Sequence, residues 1–434
     1  MNNHNMETPT NINSLPPELF THILLHCDFP HDIWRPSRKA CLQACSLTCR
    51  AWVVPSHRLL FDSFTIFTLT SGFLLELVPN IVHYVKSLTI THVITDAISL
   101  PSSFWKILPM FQNVRTLTIN PLYAYEDLQF SLVANPKLLN SFPFIEKLVL
   151  KRCTLESLRI VFPMLGSHQH LQSLEVQERR KPIISVGNHM RPLDFSSVAV
   201  TTDNTTPPKL NRLQQLTVWG LNSHPVLVWM SSYTTVHLTH ISVINITQRD
   251  VRPLAALLKI TGPSLHHLLL HFLPARNDSL EIKSVEQVQE LSISHNTALH
   301  SLQLRNLTWL PSVFATCVPN LLAQISSTTV DSIIFDLSFY PETSFKRTAV
   351  LKIVPFERVD GILTSSKFQD LRRVTFEVFI KSSESKEKKM MSTIRDIKTR
   401  MKSLQNEGRL FVVHGQYGDD FDHYGKCKSY YEEG

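Results

Sequence analysis

Glycine is scarce in this chain, with 11 in 434 residues. That scarcity argues against a backbone loop that cradles phosphate, and no GxGxxG, GxxxxGK[ST] or GxSxG pattern occurs. It argues equally against an array of hairpins joined by Gly-rich turns. There is no CxxC, and the seven cysteines are odd in number and scattered, so they read as free thiols rather than a disulfide framework. No apolar run reaches the roughly 18 residues that span a bilayer. The opening MNNHNMETPTNINS has neither the basic nor the apolar region of a secretory signal. These absences predict an intracellular protein of cytoplasm or nucleus with no membrane partner. The sequons at Asn245 and Asn306 then have no meaning as glycan sites.

Charge is also unremarkable. The net charge is +7, from 43 basic and 36 acidic residues. The excess is partly local, at Arg179-Arg180-Lys181 and at Lys386, Lys388 and Lys389, with no aromatic residues interleaved. Such clusters read as solvated loop and helix faces, and no nucleic-acid partner is expected. With 43% hydrophobic residues, the length suffices for a large core and more than one structural unit.

What the chain does have is repetition. The pattern apolar-x-x-apolar-x-apolar recurs as VKSLTI (from Val85), VRTLTI (Val114), IEKLVL (Ile145), LQSLEV (Leu171), LQQLTV (Leu213) and LTHISV (Leu238). It continues as LHHLLL (Leu265), VQELSI (Val288), LHSLQL (Leu299), VDSIIF (Val330) and LRRVTF (Leu371). Most starts lie roughly 23 to 42 residues apart. Val288 and Leu299 are only about eleven apart, so one of them is an extra strand. The last two apolar positions alternate with polar ones, which predicts a short strand with one buried face. Segments between them, such as FLLELVPNIV (Phe73 to Val82) and PLAALLKI (Pro253 to Ile260), carry apolar residues at helical spacing.

This pattern resembles degenerate leucine-rich repeats. The resemblance implies a curved solenoid with a parallel sheet on its concave face. Of the ladder asparagines of that family, Asn296 fits the place, Cys153 is an accepted substitute, and Leu122, Leu221, Leu273 and Leu307 stand in others. Glu178 to Lys209 is rich in Ser, Thr, Asn and Pro and reads as a long surface loop. Near the end, Met391, Ile394, Ile397, Met401 and Leu404 mark one helix face, Gly408 is placed to stop the helix, and Arg409 to His414 reads as a closing strand.

The first sixty residues carry a second resemblance. LPPELFTHIL (Leu15 to Leu24) reads as a helix entered through Pro-Pro-Glu. CSLTCRAW (Cys45 to Trp52) reads as a further short helix, with Cys41, Cys45 and Cys49 at i, i+4, i+8, and LLF (Leu59 to Phe61) follows. In that order these signals resemble the F-box, a three-helix motif that docks on the Skp adaptor of a cullin–RING ubiquitin ligase. Leu15, Pro16, Glu18 and Leu19 match its opening, and Leu47, Cys49, Arg50 and Trp52 its closing signature. The departure is His26 to Cys41, which lengthens the gap between the two by roughly ten residues, a size that loops tolerate.

Candidate chemistry is thin. His22, His26 and Cys27 with the cysteine row could suggest a metal, but Ile23 stands where a zincin places its glutamate. A Cys row at helical spacing is also what a buried stripe looks like. His266, His267 and His271 have no assignable nucleophile or carboxylate partner and suit a surface role better than catalysis. No catalytic residue, metal or cofactor is expected.

The expected fold is therefore α/β: a short all-α F-box followed by a leucine-rich-repeat-like solenoid. The expected organisation is a disordered N-terminus over 1–11, the F-box over 12–62 and the solenoid over 63–380, with a C-terminal helix and strand over 381–415 and a mobile tail over 416–434. The two resemblances together are similar to the large fungal set of F-box-like proteins. They imply a non-catalytic, substrate-recognition adaptor of an SCF-type ligase, monomeric within a hetero-complex. A Skp-type adaptor would meet Leu15, Pro16, Glu18, Leu19, Ile23, Leu47 and Trp52, and an unidentified target would meet Trp219, Ile244, His267, Leu269 and His271 on the strand face. The alternative is a non-ligase scaffold of the same architecture that assembles partner proteins.

Overall fold

A strand with an apolar residue at every second position buries one face, and parallel neighbours are the pairing that strand–helix alternation permits. The computed structural model describes residues 38–48, 50–67, 78–92, 102–121, 136–151, 155–177, 210, 212–220, 223–233, 236–272, 290–307, 311–339, 351–380, 386–415 and 431–433. The class is α/β with parallel strands. Two units divide the chain, residues 1–149 and 150–434, with the boundary inside strand β4 (Lys147–Lys151).

In the first unit β1 (Ser63–Phe67), β2 (Ser87–His92) and β3 (Thr116–Pro121) pair parallel in chain order. In the second, β5 (Ser173–Gln177), β6 (Gln215–Trp219), β7 (His240–Ile246) and β8 (His267–Phe272) pair in the same way. So do β9 (Ser301–Arg305), β10 (Ser332–Phe339), β11 (Arg373–Ile380) and β12 (Leu410–Gly415). β13 (Tyr431–Glu433) adds antiparallel to β12, so a piece of the segment expected to be a mobile tail extends the sheet.

The register explains the repeat. Leu174, Leu216, Ile241, Leu268, Leu302, Ile333 and Val374 form one buried row across paired strands. Val176, Val218, Val243, Leu270, Leu304, Phe335 and Phe376 form the next, and Phe335 stacks on Phe376 at 4.9 Å. The entry to each strand repeats as well: one carbonyl accepts from two successive N–H groups of the following strand's start. In the first unit Asp62 O serves Lys86 and Ser87, Lys86 O serves Arg115 and Thr116, and Arg115 O serves Glu146 and Lys147. In the second, Gln172, Gln214, Thr239, His266, His300 and Asp331 act in turn.

Helices lie between strands. In chain order they are α1 (Arg38–Thr48), α2 (Arg50–Leu60), α3 (Ser102–Ile107), α4 (Pro136–Asn140), α5 (Leu155–Leu165) and α6 (Ser223–Ser231). The rest are α7 (Val251–Thr261), α8 (Pro311–Gln324), α9 (Phe356–Leu363), α10 (Lys386–Arg400) and α11 (Lys402–Asn406). Helix α7 shows how the ends are set. Buried Asp250 accepts from the Thr247 N–H and hydroxyl, both at 2.7 Å, just ahead of its first turn. Gly262 at φ 47° ends the helix. In the last helices Asp360 of α9 takes the N–H groups of Ser403 and Leu404 at α11, and Arg400 of α10 donates to the Leu351 and Val354 carbonyls.

Several details differ from the sequence expectations. Of the pair at Val288 and Leu299, only the Leu299 copy is a strand; Leu291 and Ile293 are buried without pairing. Asn296 accordingly forms no ladder after a strand. Its Nδ2 donates to Leu258 O and Gly262 O at 2.9 Å and so satisfies carbonyls at the end of α7. The cysteine-bearing stretch is two helices, α1 and α2, rather than one helix through Trp52. On α10 the buried methionine is Met390, and Met391 is exposed; Ile394, Ile397, Met401 and Leu404 are buried as predicted, and Gly408 has φ 68°. β1 was not among the predicted repeats, although Phe64 and Ile66 carry its alternation. The loop over 178–209 and residues 26–37 of the insertion lie outside the described residues, and the insertion's last residues, Arg38 to Cys41, open α1 rather than a loop.

Candidate functional site

Residues that alternate with the buried rows line the opposite face of the strands. In the second unit the row nearest the strand ends reads Gln177, Trp219, Ile244, His271 and Arg305, each in register with the next. Asp336 and Glu377 form a register pair on β10 and β11. The middle row holds Glu175, Thr217, Ser242, Leu269, Gln303, Ile334 and Thr375, and the row at the strand starts holds Ser173, Gln215, His240, His267, Ser301, Ser332 and Arg373. Neighbouring strands stand about 4.8 Å apart, so each row is one line of adjacent side chains. All five predicted target residues, Trp219, Ile244, His267, Leu269 and His271, fall together on this face of β6, β7 and β8.

The backbone shapes the row at Ile244. Asn245 adopts φ 65°, and the register skips it, so Ile244 pairs with His271 on the open face while Ile246 pairs with Phe272 in the core. Asn306 ends β9 in the same way, at φ 62°, with its Nδ2 donating to Phe272 O at 2.7 Å. Both sequon asparagines thus take a left-handed backbone, Asn245 at a bulge within β7 and Asn306 just after β9. An asparagine directly after the alternating run, at Ile244 and at Arg305, was the available signal.

Electrostatics differ along the face. At β9 and β11, Arg305 Nη2 lies 3.9 Å from Glu377 Oε2. Burial pushes the Glu377 carboxyl above the usual carboxylate range, and the Arg305 charge opposes that. Glu175 accepts from the Gln177 amide at the far side. Arg373 donates to Thr375 Oγ1 at 3.1 Å and covers the Phe411 ring at 4.6 Å. Sequence reasoning named none of these polar groups, because the alternation rule was applied only to β2, β3 and β6 to β8.

At the strand starts the histidines gather. The His240 and His267 rings stack with centroids 4.3 Å apart and 21° between planes. His300 lies 5.1 Å from His266 and 6.4 Å from His267. Burial, then the neighbouring imidazoles His267 and His266, lower the His240 pKa. Burial, then His266 and His300, lower that of His267, against an upward pull from Asp331. Among the described residues, no group of three His, Cys, Asp or Glu side chains is arranged to hold a metal ion.

Of the predicted adaptor-binding residues, Leu15, Pro16, Glu18, Leu19 and Ile23 lie outside the described residues, as do His22, His26 and Cys27. Leu47 on α1 is 87% exposed and Val54 on α2 is 58% exposed, whereas Leu42 is buried and Trp52 half-buried. No described helix is long and apolar enough to cross a membrane. No protein-family model matches this chain, and no curated protein matches it.

Proposed function

We propose that the chain is a substrate-recognition adaptor of an SCF-type ubiquitin ligase, with an F-box-like N-terminus that docks a Skp-type adaptor and a leucine-rich-repeat-like solenoid that holds a target. The observation that carries this reading is the resemblance of the N-terminal sequence to that motif, together with exposed apolar residues on α1 and α2. A leucine left 87% exposed on α1 and a valine left 58% exposed on α2 are apolar surface that gains from a partner. The in-register face of β5 to β11 supports the second half: it places a Trp with aliphatic, imidazole and charged neighbours on a rigid sheet, a composition favoured at binding hot spots. Neither half needs chemistry in this chain. Tethering a target beside the transferring subunits converts a bimolecular encounter into an intramolecular one.

Affinity purification of the tagged chain tests this. Recovery of Skp adaptor with cullin is the expected result. Adaptor without cullin would favour the non-ligase scaffold, and recovery of neither would overturn both readings.

A further inference from the structure

We propose that the imidazole strip at the strand starts, His240, His267 and His300, is a proton-coupled docking site for an acidic peptide segment of the target. This rests on reading the strand face as the target-binding surface, and adds the chemistry of the partner and the condition under which it is held.

The strip is ordered by tautomer as well as by position. The Thr239 hydroxyl donates to Gln214 O at 3.1 Å, so its oxygen, 2.8 Å from His240 Nδ1, is left to accept. That assigns the proton of His240 to Nδ1 and the lone pair to Nε2. His300 Nδ1 lies 2.8 Å from Ala298 O, a carbonyl that can only accept, which gives the same tautomer. Two of the three rings are therefore held with Nε2 as the atom that takes a proton.

The charges around the strip select an anion. His240 feels His266 and His267; His267 feels His266, His300 and Asp331. Exposed Arg212 and Arg372 precede β6 and β11, and exposed Arg373 opens β11. With the rings neutral the strip is weakly charged. Protonated, His240 and His267 are two cations that repel one another at stacking distance. A carboxylate seated over the row removes that repulsion and stabilises the protonated rings. By linkage, whatever raises imidazole basicity on binding is itself bound more tightly as pH falls. Leu269, Ile244 and Trp219 on the same face supply apolar contacts alongside, so the favoured partner is a peptide rather than a free anion.

Isothermal titration of the full chain with a short Glu-rich peptide tests this, in two buffers of different ionisation enthalpy so that protons taken up are counted. Binding should tighten about fivefold between about pH 7.5 and about pH 5.5, the effect of two imidazoles each shifted by about half a unit, with net proton uptake. The variant carrying His240→Gln and His267→Gln should keep the strand signal in circular dichroism and lose both the pH dependence and the uptake. His267→Gln alone should lose part of each, and serves if the double variant does not fold. Equal affinity at both pH values, undiminished uptake in the variants, equal binding of the peptide with Gln for Glu, or displacement by inorganic phosphate at matched ionic strength would each overturn the proposal. The titration involves neither adaptor nor cullin, so failure here with the ligase subunits still recovered removes only the strip. Success here without them removes only the ligase reading.

Discussion

The two units bury the same pattern and present different faces. In the first, the residues that alternate with the core read Ser87, Thr89 and Thr91 on β2 and Thr116, Thr118 and Asn120 on β3. In the second, equivalent positions hold Trp219, Ile244, His271, Arg305 and Glu377. The strand entries differ likewise. Asp62 meets Lys86 at 3.7 Å and Arg115 meets Glu146 at 3.5 Å in the first unit, where the second has His266 beside His300. Buried rows are held to apolar residues by the cost of placing a polar group in the core. The facing rows are under no such constraint, so only they can encode a partner: the second unit fills its row with large side chains, whereas on β1 to β3 the first has one, Phe67 of β1, in register with Thr91 and Asn120.

The buried rows should prove equivalent. Leu117→Ala in β3 and Leu302→Ala in β9 each empty a fully buried site and should each cost about 2–5 kcal/mol. Hydrogen exchange read by mass spectrometry separates the two units, since each substitution should release protection in its own. A loss in only one would show that the repeats are alike in sequence but not in packing.

The strand ends should not be equivalent. Positive-φ asparagines occur among the described residues only in the second unit, at Asn245 and Asn306. Asn306→Ala loses the bond to Phe272 O and keeps an unfavourable backbone, so chemical denaturation should show a loss of about 1–3 kcal/mol. Asn306→Gly relieves the backbone and should recover part of it.

The facing rows should differ in capture rather than in stability. Trp219→Ala should abolish target recovery with adaptor recovery unchanged and a stability change under about 1 kcal/mol, whereas Thr118→Ala should alter neither. Unfolding of the Trp219 variant would place that ring in the core and remove the contrast.

How much of this was legible follows from the same distinction. The strands could be read because an apolar pair at period two has few other uses, and the positions facing away from the core followed by counting. The Val288 copy misled because Leu291 and Ile293 do become buried, but beside a turn that caps α7 instead of pairing. β1 was passed over because Phe61, the first apolar position of its copy, had been assigned to the end of the helical motif. The Arg305–Glu377 pair and the imidazole strip depend on which side chains meet across strands. That requires the register, which no single strand contains.

The smallest effect is the response to pH, where a part-exposed imidazole pair and a buried carboxyl of the second unit oppose each other. His240 and His267 have pKa values below the ordinary imidazole value, so the unfolded chain binds their protons more readily. Their contribution is present above about pH 6.5 and is lost as pH falls below it toward the folded values. Asp250 runs the other way. Desolvation raises its carboxyl to about 6 despite the Thr247 hydrogen bonds, so its contribution is largest in acid and is lost as pH rises through about 6. The wild-type profile between pH 4 and pH 7 should therefore be flatter than either group alone would give. His267→Gln removes part of the acid loss, and its stability relative to wild type should improve as pH falls. Asp250→Asn removes the acid gain, and its relative stability should worsen over the same range. Denaturation midpoints measured across that window would decide it, and parallel profiles for both variants would show that neither group is coupled to folding as the geometry requires.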